Sequence, residues 1–199
     1  MNTLNLPINN RDKMKIAVAV TGASGSIYAK LLLQKIKALS DANEQIQTDL
    51  VWSKNAFTVW KEELEDESYK DLPFKSWDTQ DYYAPFASGS AGYDALVIIP
   101  CSMGTLGRIA TGISDSLITR AADVMLKERK KLICVIRETP YNLVHINNMK
   151  TVTEAGGIIC PASPSFYSKP KDLNDAAMTV VDRVLGLIGL DSKGYKWGQ

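Results

Sequence analysis

Short apolar runs alternate along this chain with longer segments whose apolar residues recur at helical spacing. Residues 14–20 form the first apolar run, and residues 27–39 form the first amphipathic segment. Apolar runs without strict alternation, separated by amphipathic helices, are typical of a parallel sheet that is covered on both faces. The pattern therefore predicts a single-domain α/β fold, with a doubly wound, flavodoxin-like or Rossmann-like parallel sheet and helices on both faces.

The other elements follow from the same two patterns. Further strands are predicted at 48–52, 94–100, 132–136 and 157–160, and further helices at 55–64, between 105 and 132, around 142–145, and at 172–188. Residues 66–92 contain Pro, Gly, Ser and aromatic residues without a sustained period. We therefore expect a long excursion there, with at most one short helix.

The length and the polar ends of the chain indicate its organisation. A chain of 199 residues is most simply one domain that buries a sizeable core. Residues 1–13 are polar and are expected to form a flexible N-terminal tail. We assign residues 14–190 to the folded domain and residues 191–199 to a C-terminal tail.

Charge and composition narrow the class of protein. A net charge of +1 gives no strongly basic face of the kind that nucleic acid requires. No apolar run approaches the ~20 residues that span a bilayer. The three cysteines lie in or beside apolar runs, which indicates reduced, buried thiols in a cytoplasmic protein. The single histidine, His145, excludes a multi-histidine site within one chain, so we expect no bound metal.

Small and polar residues gather where the predicted strands end. Right-handed crossovers place the carboxyl end of every parallel strand at one edge of the sheet, and ligands bind in crevices at that edge. The residues expected there are 22–25, Ser53, 101–105, Arg137, Glu138 and the loop 161–167. This combination of hydroxyls, backbone amides and charges predicts an anion site, with a phosphate as its ligand.

The sequence TGASG at 21–25 has two interpretations. Its backbone amides can cradle a phosphate at the N-terminus of the next helix, or the segment can be a plain tight turn. The glycines stand at 22 and 25, which does not match the dinucleotide pattern G-x-G-x-x-G. The motif alone leaves both interpretations open.

Three charged residues fall on one side of the helix predicted after residue 105. Arg120, Asp123 and Lys127 have spacings that share a helix face, which in an arbitrary helix is usually a solvated face with an internal ion pair. Arg137, at the end of the adjacent strand, favours a ligand because its planar fork suits phosphate. Glu138 beside these cations is either an acid/base group or a partner in a structural ion pair.

Four further residues have alternatives of their own. The Tyr167 hydroxyl contacts a ligand, or the ring anchors its Pro-rich loop. Arg183 contacts a ligand, or extends to water as most helix-surface arginines do. We expect His145 to be a hydrogen-bonded structural residue and Cys101 to be a buried thiol rather than a nucleophile.

Taken together, these segments resemble the flavin prenyltransferase family of the UbiX type, also described as the small subunit of phenolic or phenylacrylic acid decarboxylases. The resemblance covers residues 14–190, in the right order. Its most specific parts are TRAADVMLKER and RETP, whereas TGASG alone is not specific. The matching segments are TGASG at 21–25, Ser53-Lys54, SGS at 88–90, PCSMGTL at 100–106, LITRAADVMLKERKKL at 117–132, RETP at 137–140, NNM at 147–149 and PSFYSKP at 164–170.

The resemblance implies a metal-independent enzyme that transfers a dimethylallyl group from dimethylallyl monophosphate to N5 and C6 of reduced FMN. The product, prenylated FMN, would then pass to a UbiD-type decarboxylase. The resemblance also implies a homododecamer with flavin sites at the subunit interfaces. The absence of a DDxxD-like acidic cluster argues against a prenyltransferase that depends on magnesium and pyrophosphate.

The resemblance also implies the role of particular residues. The FMN-binding residues would be Gly22, Ala23, Ser24, Ser53, Ser102, Met103, Gly104, Thr105 and Arg137. The allyl phosphate would contact Tyr167, Arg183, Arg120, Lys127 and Arg137, with Trp197 helping to close the site. The catalytic groups would be Glu138, Glu63, Lys127, Arg120 and Ser24, although Glu62 leaves the register of Glu63 open.

Two departures from the family pattern and two alternative functions remain. Gly104 stands where the family often has lysine, and Ala162 replaces the second proline of a Pro-Pro loop. One alternative is an FMN-dependent cysteine-type decarboxylase of the related fold family, which has a PASANT-type segment where this chain has PCSMGT. The other is a non-catalytic flavin carrier subunit of an aromatic acid decarboxylase. The choice between a mono- and a diphosphate donor also stays open.

Overall fold

The computed structural model describes residues 13–42, 45–192, 194–195 and 198, and it contains one six-stranded sheet. Every pair of neighbouring strands is parallel, and the strand order is β3-β2-β1-β4-β5-β6. The strands are β1 Met14–Val20, β2 Ile46–Trp52, β3 Lys75–Trp77, β4 Ala95–Cys101, β5 Lys131–Ile136 and β6 Ile158–Pro161. This order confirms the predicted doubly wound fold, and it places the reversal of strand order between β1 and β4.

In the part of the chain that the structure describes, six α-helices cover the two faces of the sheet. They are α1 Ser26–Ala42, α2 Lys54–Leu64, α3 Met103–Ala110, α4 Leu117–Lys127, α5 Leu143–Glu154 and α6 Leu173–Ile188. No helix of the described residues is long and apolar enough to cross a membrane.

Each face of the sheet has its own apolar core. Residues of α1, α2 and α6 pack with alternate strand residues such as Ile16, Val18 and Val20. The opposite core contains residues of α3 and α4 together with Ala17 and Ala19 of the same strand. Because both faces are buried, the strands show apolar runs and not an alternating pattern.

The segment between β4 and β5 forms two helices where the sequence predicted one. Helix α3 ends at Ala110, and Gly112 adopts a positive φ of 72° in the connection. Ser116 then starts α4 with a capping box shared with Thr119. Glycine accommodates this left-handed turn without the steric cost that a side chain would add.

The excursion over residues 66–92 is more regular than the sequence predicted. It contains the short edge strand β3 and three 3₁₀ turns, at Ser68–Asp71, Pro85–Ala87 and Gly89–Ala91. A three-residue strand is too short to give a periodic signal, which is why the pattern did not predict it.

A buried carboxylate on β2 holds this excursion against the sheet. Asp49 is 3% exposed and accepts hydrogen bonds from Trp77 Nε1 at 2.8 Å, the Tyr93 hydroxyl at 2.5 Å and Gln47 Nε2 at 3.1 Å. Burial, followed by the hydrogen bond to Asp49, raises the pKa of Tyr93. Buried polar groups are costly unless they are paired, so these contacts fix both ends of the segment from Trp77 to Tyr93.

We predict that Asp49→Ala lowers the free energy of unfolding by about 2–3 kcal/mol, because the buried Tyr93 hydroxyl and the half-buried Trp77 indole lose their acceptor at once. Urea unfolding followed by circular dichroism measures this change. The matched control is Asp71→Ala, at an exposed position of the same excursion, which should change the unfolding free energy by less than about 0.5 kcal/mol. Equal effects of the two substitutions would contradict the anchoring role of Asp49.

Candidate active site at the carboxyl edge of the sheet

Three loops meet where the strand order reverses. The Thr21 hydroxyl, at the end of β1, donates to the carbonyl of Pro100 at 2.6 Å and accepts from the amide of Ser102 at 2.9 Å. The amide of Ser53, after β2, donates to the carbonyl of Val20 at 2.9 Å. These bonds hold the loops after β1, β2 and β4 together at the position where doubly wound folds bind their ligands.

A cavity of about 510 Å³ opens between these loops. Four residues of the implied FMN set line it: Gly22, Ser53, Ser102 and Thr105. The other lining residues were not predicted from sequence: Lys54, Asn55, Thr79, Gln80, Arg108, Asp115, Ser116, Ile118 and Thr119. The hydroxyls and the two cations in this set are donors suited to a phosphorylated ligand.

Two local features shape this cavity. A Cβ on Gly22 would lie 2.6 Å from Asn55 Cβ, so only glycine lets the β1 loop approach α2 this closely. The Ser102 side chain caps α3 by accepting from the amide of Thr105 at 3.3 Å, which turns the first-turn amides of α3 toward the sheet edge. The cavity volume lies within the range of small-molecule sites, and its donor set fits a flavin mononucleotide.

The remaining residues implied for FMN lie around this cavity without lining it. Ala23 and Met103 are buried, and the Met103 side chain belongs to the apolar core beneath α3. Gly104 is exposed in the first turn of α3.

The amides at the start of α1 are occupied by a carboxylate from α2. Glu63 accepts from the amide of Gly25 at 2.9 and 3.0 Å and from the amide of Ser26 at 2.8 Å. Partial burial raises the pKa of Glu63, but hydrogen bonds from the Ser24 side chain and from these amides outweigh that effect and lower it overall. One interpretation of the TGASG turn was a phosphate on these amides; in the structure the amides of Gly25 and Ser26 are instead bound by a carboxylate of the protein itself. These contacts are made by Glu63 and not by its neighbour Glu62.

Arg137 connects the ends of β5 and β1. Its Nε donates to the carbonyl of Ser24 at 3.1 Å, and its charge acts on Tyr28, where burial raises the pKa and Arg137 lowers it. The half-buried Glu138 accepts from the amide of Thr139 at 3.0 Å. Ser24, Glu63 and Arg137 therefore form one cluster beside the flavin-sized cavity, with Glu138 next along the chain.

A second cavity, of about 610 Å³, lies on the α6 side of the sheet. Arg183 lines it together with Cys160, Ser165, Ser168 and Tyr195. Tyr167 is 68% exposed, and its ring stacks on Tyr195 with centroids 6.5 Å apart. Tyr167 is therefore connected to this cavity through Tyr195 and does not line it, whereas Arg183 does.

Arg120 and Lys127 lie on the other face of the sheet. Arg120 pairs with Asp123 at 2.9 Å and donates to the carbonyl of Ala87 at 3.1 Å, and Lys127 pairs with Glu128. Helix α4 packs in the core opposite to that of α6, so these cations do not meet Arg183 within one protomer. Trp197, implied to close the site, lies outside the described residues.

Two residues have the structural roles that the sequence predicted. The backbone amide of His145 donates to Asn142 Oδ1 at 2.9 Å in the capping box that starts α5. Cys101 is fully buried, and contact with the thiol of Cys134, together with burial, raises its pKa well above the ordinary value. A thiol with a raised pKa is a poor nucleophile.

Comparison with known proteins agrees with this arrangement. The family model described as Flavoprotein matches residues 6–189. A flavin prenyltransferase, UbiX of Methanocaldococcus jannaschii, is 45% identical over 93% of this chain and 99% of its own. The crystal structure of AnUbiX (PadA1) in complex with FMN and dimethylallyl pyrophosphate is 38% identical, covers 94% of this chain and 98% of its own, and has a TM-score of 0.88.

Two further solved structures bear on the assembly and on the alternatives. A dodecameric FMN-dependent UbiX-like decarboxylase from Escherichia coli O157:H7 is 37% identical over 92% of this chain and 99% of its own, with a TM-score of 0.86. The FMN-dependent cysteine decarboxylase SpaF is only 15% identical over 84% of this chain and 97% of its own, with a TM-score of 0.56. The likeness to SpaF is one of fold alone.

The fold and the site thus define a flavoprotein with a ligand cavity at its topological switch point. Within that class, the chain belongs to the flavin prenyltransferase family of the UbiX type.

We predict that Glu63→Gln lowers the free energy of unfolding at pH 7 by about 1 kcal/mol, or the melting temperature by about 2–4 °C. The reason is that the amides of Gly25 and Ser26 lose an ionised acceptor. Because the folded protein lowers the pKa of Glu63, this stabilisation is present above the unfolded pKa and is lost as the pH falls through the folded value. The difference between wild type and variant should therefore shrink as the pH falls below the ordinary pKa of a glutamate side chain.

Thermal unfolding at several pH values tests this prediction. Glu62→Gln removes the same charge from the neighbouring, exposed position and should have little effect at any pH. A larger loss of stability for Glu62→Gln than for Glu63→Gln would contradict the assignment of these hydrogen bonds to Glu63.

Proposed function

We propose that this protein joins the dimethylallyl group of dimethylallyl monophosphate to N5 and C6 of reduced FMN, giving prenylated FMN. The observation that carries this proposal is the hydroxyl- and cation-lined cavity at the switch point, beside the cluster of Ser24, Glu63 and Arg137. A 38% identical neighbour that was crystallised with FMN and dimethylallyl pyrophosphate supports the same pair of ligands. When bound, reduced FMN supplies the nucleophilic N5 and C6 atoms.

In this proposal the flavin is held by the loops after β1, β2 and β4. Gly22, Ser53, Ser102 and Thr105 line the cavity and contact the flavin there. The neighbouring Ala23, Ser24, Met103 and Gly104 contribute through the same two loops, and Arg137 approaches from the end of β5. The charge on Arg137 also favours an anionic ligand.

The allyl phosphate requires positive charge around its leaving group. Cations that are already in position stabilise the charge that develops as the phosphate departs. Arg183 and Tyr167 provide one side of this pocket, at the α6 cavity. We assign Arg120 and Lys127 to the other side, together with Arg137, and Trp197 to the closing of the site.

The two sides of the phosphate pocket come from different subunits in this proposal. Arg120 and Arg183 lie on opposite faces of one sheet, so a neighbouring subunit has to bring its α4 to the α6 cavity. The assembly is proposed to be a dodecamer, as in the 37% identical Escherichia coli structure. Helix α5 offers an apolar surface for subunit contact, because Leu143, Val144 and Ile146 are 70%, 64% and 50% exposed.

Two carboxylates are placed to move protons. Glu138 stands next to Arg137 at the end of β5, and its carboxylate contacts the Thr139 amide. Glu63 is hydrogen-bonded to the Ser24 hydroxyl, so a proton can pass between this pair at the edge of the flavin cavity. We assign Glu138 as the main acid/base group and the Ser24–Glu63 pair as a second proton route.

The product and the cellular setting complete the proposal. Prenylated FMN is delivered to a UbiD-type decarboxylase, which carries out the decarboxylation itself. Three free, buried cysteines are compatible with a compartment that keeps thiols reduced, which supports the cytoplasm.

Anaerobic incubation with reduced FMN and dimethylallyl monophosphate, followed by mass spectrometry of the released flavin, tests this function. We expect a flavin whose mass has increased by one dimethylallyl group, and dimethylallyl pyrophosphate assayed in parallel identifies the preferred donor. Glu138→Gln should retain FMN binding but slow formation of the product by about 10²-fold. Glu154→Gln, on the exposed end of α5, is the matched control.

Two results would contradict these assignments. If the wild-type protein forms no prenylated flavin, the proposed transferase activity is wrong and the alternative of a non-catalytic flavin carrier is favoured. Unchanged turnover of Glu138→Gln would remove Glu138 from the mechanism.

A separate prediction concerns the subunit origin of the cations. Arg120→Ala and Arg183→Ala should each be nearly inactive alone. When the two variants are co-expressed and assemble at random, about a quarter of the sites should contain both arginines, because each site draws on two subunits. Activity should return to that extent in the purified mixed assembly. If both arginines served a site within one subunit, no site would be intact and activity would stay absent.

A further inference from the structure

Arg108 stands at the mouth of the flavin-sized cavity, one turn along α3 from Gly104. Its Nη1 donates to the carbonyl of Gly104 at 3.1 Å, and its Nε pairs with Asp115 Oδ2 at 3.1 Å. Among the described residues, these contacts use two of the five N–H groups of the guanidinium. The side chain is therefore held in place while half of its surface faces the cavity and solvent.

Gly104 leaves room for this arrangement. A Cβ on Gly104 would lie 3.5 Å from Arg108 Nη1, so a longer side chain there would extend into the space beside the guanidinium. Arg108 thus lies over the first turn of α3, where the backbone amides of the helix start carry partial positive charge. A cation and a helix N-terminus meet at the same end of the cavity.

The charges around the cavity favour an anionic ligand. Lys54 and Arg108 are its two cationic lining residues, and Asp115 is its one acidic lining residue. Asp115 is already engaged by Arg108 and by the Thr119 hydroxyl at 3.4 Å. The adjacent hydroxyls of Ser102 and Thr105 are 3.0 Å apart and add neutral donors to the same region.

We propose that Arg108 binds the phosphate of the flavin mononucleotide and makes the site prefer FMN to riboflavin, with the hydrogen bond to the Gly104 carbonyl holding the guanidinium at the first turn of α3. This inference rests on the proposed function, since it assumes that the cavity holds a flavin. The alternative is that the Arg108–Asp115 pair only braces the connection between α3 and α4.

The two roles differ in what happens when either partner of the ion pair is removed. Arg108→Gln removes both the cation and the ion pair, whereas Asp115→Asn removes the ion pair and keeps the cation. If the pair only braces the connection, the two substitutions should have the same effect. If Arg108 binds the phosphate, only Arg108→Gln should weaken the binding of FMN.

The experiment measures the dissociation constants of oxidised FMN and of riboflavin for the full-length protein by flavin fluorescence quenching. We expect Arg108→Gln to weaken FMN binding by about tenfold or more, with riboflavin affinity changed by less than about twofold. Asp115→Asn should leave FMN affinity within about twofold of wild type, and Arg108→Lys should restore part of the loss because it retains the charge. Lys150→Gln, which removes one positive charge from the exposed side of α5, should change neither constant.

Other outcomes of these binding measurements would contradict either the phosphate role of Arg108 or the proposed function. Equal weakening of FMN and riboflavin by Arg108→Gln, or equal weakening of FMN by Arg108→Gln and Asp115→Asn, would overturn the phosphate role while leaving the proposed function intact. A wild-type protein that binds neither flavin would overturn the proposed function itself. Melting temperatures of all variants, measured alongside, separate a loss of binding from a loss of fold.

Discussion

The hydroxyl of Thr21 is the contact on which the site depends. It joins the end of β1 to the loop after β4. The buried hydroxyl donates to the carbonyl of Pro100 at 2.6 Å and accepts from the amide of Ser102 at 2.9 Å. At this point the chain directions diverge, because α1 leaves toward one face of the sheet and α3 toward the other. A single satisfied side chain therefore ties together the two strand ends between which the helices diverge.

The sequence predicted the framework well because strands buried on both faces leave a strong apolar signal. The β1, β4 and β5 strands and the long helices α1 and α6 were found close to their observed bounds. The break between α3 and α4 was missed, since it depends on a left-handed Gly112 within otherwise helical spacing. Edge strand β3 was missed because its position is fixed by the distant Asp49 and not by any local pattern.

The sequence predicted which residues gather at the edge of the sheet, and the structure showed which of them lie on the same face. The positions of the strand ends alone placed Gly22, Ser53 and residues 101–105 at one edge, and in the structure Gly22, Ser53, Ser102 and Thr105 line one cavity. Spacing along a helix also grouped Arg120 with Lys127, but it carries no information about which face of the sheet that helix covers. The separation of α4 from Arg183 became visible only with the two cores in place. Arg108 and Asp115 form no recognisable sequence motif, because this ion pair links α3 to the connection that precedes α4.

The carboxylate of Glu63 gives the start of α1 a permanent internal ligand. A doubly wound protein ordinarily presents two helix starts at its switch point, and a free anion could settle at either one. Here the start of α1 is filled by the chain itself, so the helix starts that remain open at the cavity are those of α2 and α3. An anionic group is therefore favoured at the loops after β2 and β4 and not at the start of α1.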